Sequence, residues 1–119
     1  MKRYRFETVA TMKEYNSKNW WIDHNVIRPV EVEAETIKAA LKEYQKIAND
    51  KYYVSISNNA INNPSPMFVD SKEDEALQVG YVITGSMEFE TDNYQWKKQF
   101  INLWVDVKTV ENPFRKEVI

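Results

Sequence analysis

A chain of 119 residues with 43% hydrophobic and 29% charged side chains is long enough to bury a core without staples and too apolar to stay disordered. The absence of cysteine excludes disulfides, thiolate metal sites and a cysteine nucleophile, and a net charge of −2 excludes both a global field for nucleic acid and the acidity of a DNA mimic. The surplus is aromatic: four Trp, seven Tyr and five Phe.

The start, Met1-Lys2-Arg3-Tyr4-Arg5-Phe6, is charged with no apolar run of signal-peptide length behind it, and no window approaches the ~20 apolar residues of a membrane span. A soluble cytoplasmic protein with no membrane partner is the expectation, folded as one domain over residues 1–119. Tyr4, Phe6, Thr8, Ala10 and Met12 recur at period two opposite Arg3, Arg5, Glu7 and Thr11, which predicts a first strand with one polar side; Val9 breaks the alternation. Lys13 to Arg28 is polar and irregular around Asn19-Trp20-Trp21-Ile22, and Pro29 forbids helix across it. The expectation there is either a long loop or a loop with a short second strand around Pro29 to Glu33.

Ile37, Ala40, Leu41, Tyr44, Ile47 and Ala48 form the stripe of an amphipathic helix from about residue 34 to 49. Glu33 and Glu35 suit its positive end, and capping by Thr36 would move its start by two residues. Tyr52 to Ser57 reads as a short strand with Tyr52, Val54 and Ile56 on one side. The run Asn58 to Pro66 is turn-forming, and Met67-Phe68-Val69 makes a brief strand before the acidic turn Asp70 to Glu75.

Residues 77 to 110 carry the strongest signal, a long hairpin turning at Asp92-Asn93. Its second strand has Trp96, Phe100 and Trp104 on one face and Ile101, Leu103, Val105 and Val107 on the other, so both faces call for burial. A two-residue loop would set Phe89 against Trp96 and Tyr81 against Trp104. One more loop residue pairs Ile83 with Leu103, Tyr81 with Val105 and Val79 with Val107, which collects the aliphatic side chains on one face; that register is favoured. The only glycines, Gly80 and Gly85, stand in the first hairpin strand, where a bend or close approach is expected at Gly85. The tail from about 111 to 119 reads as loose. The expected fold is α+β: an antiparallel sheet of four or five strands packed on one main helix (about 34–49), with a long C-terminal hairpin (about 77–110).

Chemistry is sparse. His24 is the only histidine, two glycines cannot build a phosphate loop, and Ser55, Ser57 and Ser86 lie on predicted strands without a nucleophile elbow. The acidic run Asp70, Glu73, Asp74 and Glu75 lacks the spacing and glycine of a calcium loop. No catalytic residue, metal site or cofactor is therefore assigned. The aromatic face of the hairpin needs a cover. Trp20 and Trp21 either fold back over it as a lid, the less demanding arrangement, or stand out beside it as anchors.

The segments Ala10 to Asn16 with Trp20-Trp21-Ile22-Asp23, then Gln78 to Gly85, then Leu103-Trp104-Val105-Asp106-Val107, resemble a family of short proteins carried by phages and integrative conjugative elements of Firmicutes. The likeness spans most of the chain and brings no catalytic residue, cofactor or activity with it. It implies a setting, since small cysteine-free proteins of mobile elements are often accessory factors or inhibitors of a host machine, anti-CRISPR proteins among them. With the missing chemistry, the expectation is a non-enzymatic protein that occupies a surface of a host protein or nucleoprotein complex. Its binding surface would comprise Trp96, Phe100 and Trp104 as anchors, Trp20 and Trp21 as neighbours, and Lys97 and Lys98 for steering or phosphate contact. The alternative is a single-strand nucleic-acid binder using Lys2 to Phe6 and Trp96 to Phe100, where rings interleave with cations. An enzyme is the least favoured reading, and a homodimer is compatible with each.

Overall fold

The computed structural model describes residues 2–13, 21–24, 26–71, 77–90 and 93–110. Its elements are β1 (Lys2–Lys13), β2 (Trp21–His24), β3 (Val30–Ala34), α1 (Ile37–Lys51), α2 (Asn58–Asn62), β4 (Ser65–Ser71), β5 (Leu77–Glu90) and β6 (Trp96–Val110). All pairings are antiparallel, in the order β2-β1-β6-β5-β4, with β3 also on β1. Because β3 pairs with residues 2–6 of β1 and β2 with residues 10–13, the two share one edge, and the sheet is at most five strands across. That is the α+β architecture expected, with β2 formed where the sequence reads as loop. The acidic turn at 72–76 and the tail at 111–119 lie outside the described residues.

The core sits between α1 and one face of the sheet. Alternation sends Tyr4, Phe6, Thr8 and Ala10 of β1, and Ile101, Leu103, Val105 and Val107 of β6, toward the helix, which answers with Ala40, Leu41, Tyr44 and Ala48. Phe6 and Tyr44 stack with ring centroids 4.8 Å apart. The Thr8 hydroxyl that β1 sends inward is satisfied at 2.6 Å by the Tyr44 phenol, as a buried polar group requires. Thr36 caps α1 by accepting the Ala39 N–H, so the helix starts after Glu35, while Glu33 and Ala34 pair with Arg3 and Lys2 as the end of β3.

Two short segments differ from the expected pattern. Residues 52–57 form no strand beyond a single bridge between Ser55 and Ser86, because side chains of α1 take the backbone groups a ladder would use. Asn49 Oδ1 accepts the Ile56 N–H, and Gln45 Nε2 donates to the Ile56 carbonyl. The expected sidedness survives, with Val54 and Ile56 buried. In the asparagine-rich run, Ser57 caps a helical turn by accepting the Ala60 N–H, and burial of Ile61 holds that turn against the core.

The hairpin takes the favoured register: Ile83 opposite Leu103, Tyr81 opposite Val105, Val79 opposite Val107. Gly85 lies inward opposite Ile101, where a Cβ would stand 3.2 Å from the Ser55 carbonyl oxygen and 3.3 Å from Val54 Cγ1. Pairing with β1 ends at Asn102 and outer pairing of β5 at Ser86, so the far end of the hairpin runs on as two strands.

Two outcomes follow from this packing. Gly85→Ala should lower stability by about 1–2 kcal/mol in urea unfolding, since the Ser55 carbonyl is fixed in its bridge and cannot yield freely; an unchanged midpoint would contradict the close approach. Burial pushes the Tyr44 phenol well above the usual tyrosine range, outweighing the opposing hydrogen bond with Thr8. The unfolded chain therefore ionises first, at about pH 10, so this contribution is whole below that pH and is lost as pH rises above it. Tyr44→Phe should be less stable at neutral pH by about 1–3 kcal/mol, with Thr8 left unpartnered, yet show a shallower alkaline decline. Burial raises Tyr4 and Tyr81 as well, which leaves the variant a residual slope.

Candidate binding face

The alternation that fills the core also fixes what the opposite face of the sheet presents. β1 contributes Arg3, Arg5, Glu7, Val9 and Thr11, and β6 contributes Trp96, Lys98, Phe100, Asn102, Trp104, Asp106 and Lys108. In register on β5, Glu88 faces Lys98, Ser86 faces Phe100, Val82 faces Trp104 and Gly80 faces Asp106.

The face divides along the strands. At one end charges pair, across strands between Arg3 and Glu33 at 3.4 Å and between Arg5 and Glu31 at 3.3 Å, and along β1 between Arg5 and Glu7 at 3.0 Å. Hydrogen bonds that it donates to Glu7 and then to Glu31 hold the Arg5 guanidinium even more firmly protonated than usual. Asp106 accepts both of its short contacts from Gln78 Nε2, at 3.1 and 3.0 Å, with Lys108 at 3.9 Å. Exposed pairs of this kind add little stability, but they leave few charges without a partner.

Toward the hairpin end the face turns apolar. Trp104 is 41% exposed, Phe100 68% and Trp96 67%. The Trp104 indole N–H donates to Thr11 Oγ1 at 3.1 Å, which ties the ring down beside Val9. Lys98 Nζ lies over the Phe100 ring, 5.2 Å from its centroid. Four residues of strand separate successive rings by roughly 13 Å, so they form a line along β6 and do not stack on one another. At roughly 200–250 Å² for each whole side chain, the three leave about 400 Å² of ring surface in water. That matches the roughly 300–600 Å² of the largest apolar patch on an ordinary monomer, which is often functional.

Trp104 also floors a trough of about 960 Å³. Val9 and Gly80 complete the floor, Arg28 and Pro29 bound it beyond β1, and Met67, at the bulge of β4, bounds it on the other side. A smaller polar notch, about 500 Å³, opens beside it between Ser57, Asn59, Thr84 and Lys98.

No family model, curated protein or solved structure matches this chain. What the face can do therefore has to come from its own geometry. Of the residues singled out in the sequence, Trp96, Lys98, Phe100 and Trp104 come together on one face. Lys97 goes to the opposite side, in register with Phe89. Trp21 opens β2 opposite Lys13, and Trp20 lies outside the described residues. Phe100 and Trp96 stand two thirds exposed, so none of the described residues covers those two rings, and the Trp20 and Trp21 lid lies outside what is described. The trough itself was not legible beforehand, apart from Val9, whose break in the alternation marked an apolar residue on the polar side. Among the described residues, no group of three His, Asp or Glu side chains is placed to hold a metal, and no helix is long and apolar enough to cross a membrane.

Replacing Trp20 and Trp21 by Phe leaves Trp96 and Trp104 as reporters. Their emission should be red-shifted and readily quenched by iodide, Trp96 more than Trp104. Blue-shifted, protected emission in the free protein would mean that this face is covered in solution.

Proposed function

We propose that this chain is a non-enzymatic binding protein of a mobile genetic element, which acts by occupying a surface of a host protein or nucleoprotein complex and so inhibits it, as an anti-defence factor of the anti-CRISPR type would. The observation that carries this reading is the line of exposed rings, Trp96, Phe100 and Trp104, on the sheet face that α1 does not cover. Trp and its neighbours dominate contact energies because they remove much apolar area from water while freezing few torsions. The mobile-element setting comes from the resemblance of residues 10–16, 20–23, 78–85 and 103–107 described above.

A protein partner suits this face better than a nucleic-acid strand. Bases can stack on spaced rings, but phosphates need free cations beside them. Here Lys98 lies over Phe100 and opposite Glu88, while Arg3 and Arg5 are held by Glu31, Glu33 and Glu7. Apart from Lys98 and Arg28, the cations near the rings are thus engaged by carboxylates, and the sparse charge resembles the centre of a protein contact more than a phosphate track.

Phe100→Ala and Trp96→Ala, each at a largely exposed position, should leave stability within about 0.5 kcal/mol of the parent. Each should weaken retention of a host partner by about tenfold or more, measured by quantitative pull-down from Firmicutes lysate. Retention unchanged in both folded variants would remove the surface assignment. Tight binding of single-stranded oligonucleotide that collapses with added salt would move the function to nucleic acid.

A further inference from the structure

We infer that the trough over Trp104 receives an amphipathic α-helix of the protein partner, laid along β6 with its apolar stripe on Val9 and Trp104 and an Asp or Glu side chain meeting Arg28. This rests on the binding reading of the open face and adds the shape and chemistry of what it binds.

The first support is width. From the Arg28–Pro29 wall outside β1 to Met67 on β4, the trough spans β1, β6 and β5. Four interstrand spacings amount to ~19 Å. A helix with its side chains is ~10–12 Å across and seats between such walls with room for flanking residues. A single added strand would leave most of the floor wet. Gly80, which carries no side chain, keeps that floor low beside the Trp104 ring.

The second support is length. Trp104, Phe100 and Trp96 continue the line along β6 for ~27 Å, the reach of about 18 helical residues. One face of such a helix could follow the rings out of the trough and along the hairpin.

Charge supplies the third. Within the trough, Glu7 is bound by Arg5, and Asp106 by Gln78 and Lys108. Arg28 is exposed and has no hydrogen-bond or ion-pair partner among the described residues. Arg28 is thus the charged residue of the trough lining left without a partner among the described residues, and a carboxylate placed at the edge of an apolar stripe is its complement.

The probe is a displayed library of 18-residue peptides with leucines fixed at helical i, i+3, i+4, i+7 spacing and the polar positions randomised, selected against the full chain. Selected peptides should carry Asp or Glu at one fixed position beside the stripe and gain helical circular dichroism on binding. They should lose about tenfold in affinity against Arg28→Glu and recover it when that acidic residue is changed to Lys. Val9→Lys, which fills the floor, should abolish binding. Absence of enrichment, indifference to Arg28→Glu, or binding in an extended form would each overturn the inference. Failure of the broader reading looks different. Binders that feel Val9→Lys but ignore Arg28 and stay non-helical would sink the helix and keep the open face, whereas a free chain of dimeric mass with protected tryptophans would sink both.

Discussion

The structure turns on β6, a central strand that is apolar on both sides in a sheet that has a helix on only one of them. Its inward side chains, Ile101, Leu103, Val105 and Val107, are almost wholly buried. They can be buried only if β5 enters in the register that brings Val79, Tyr81 and Ile83 beside them. Because side chains alternate strictly, that choice forces Trp96, Phe100 and Trp104 to the other face. The exposed rings are thus the necessary counterpart of a well-filled core and would persist under any change that kept the register.

This dependence explains which parts of the fold the sequence makes legible. The register could be chosen from residues alone, since only one pairing collects the aliphatic side chains, and α1 announced itself by its stripe and by Thr36. What stayed hidden was governed by side chains reaching the backbone from elsewhere. Asn49 and Gln45, eleven residues or fewer from Ile56 in sequence, satisfy its N–H and carbonyl and so dissolve a strand that periodicity supports. Ser57 does the reverse, making a helical turn from asparagines that favour turns. β2 was missed because its four residues, Trp21–His24, are too short to show a period in the polar, irregular stretch that surrounds them.

The candidate site was legible as a strand and illegible as a surface. Alternation assigns Lys98 to the ring face and Lys97 to the other, yet the two adjacent lysines read alike until β6 is placed in the sheet. The trough needs long-range partners: Arg28 and Pro29 come from the connection between β2 and β3, where the chain leaves one pairing with β1 and has not yet entered the next, and Met67 comes from a bulge. Neither a crossing between two pairings nor a bulge has a periodic signature, so walls of this sort emerge only from topology.

The two ends of the open face treat solvent differently, and the difference bears on function. An exposed sheet face invites indiscriminate association unless charge or geometry blocks it. At the β3 end, Arg3 and Arg5 are shared among Glu7, Glu31 and Glu33 in a network that a partner would have to disrupt and desolvate. At the hairpin end no comparable barrier stands over Phe100 and Trp96. Trp104, tied to Thr11 and less exposed, lies at the boundary between them and at the bottom of the trough. A partner is thereby steered away from the charged half and onto the rings, with Trp104 as a fixed floor and Trp96 and Phe100 as side chains still free to adapt. Rigidity at the centre of the contact and adjustability toward its end is the distribution expected of a surface that recognises one partner closely and tolerates variation at its margin.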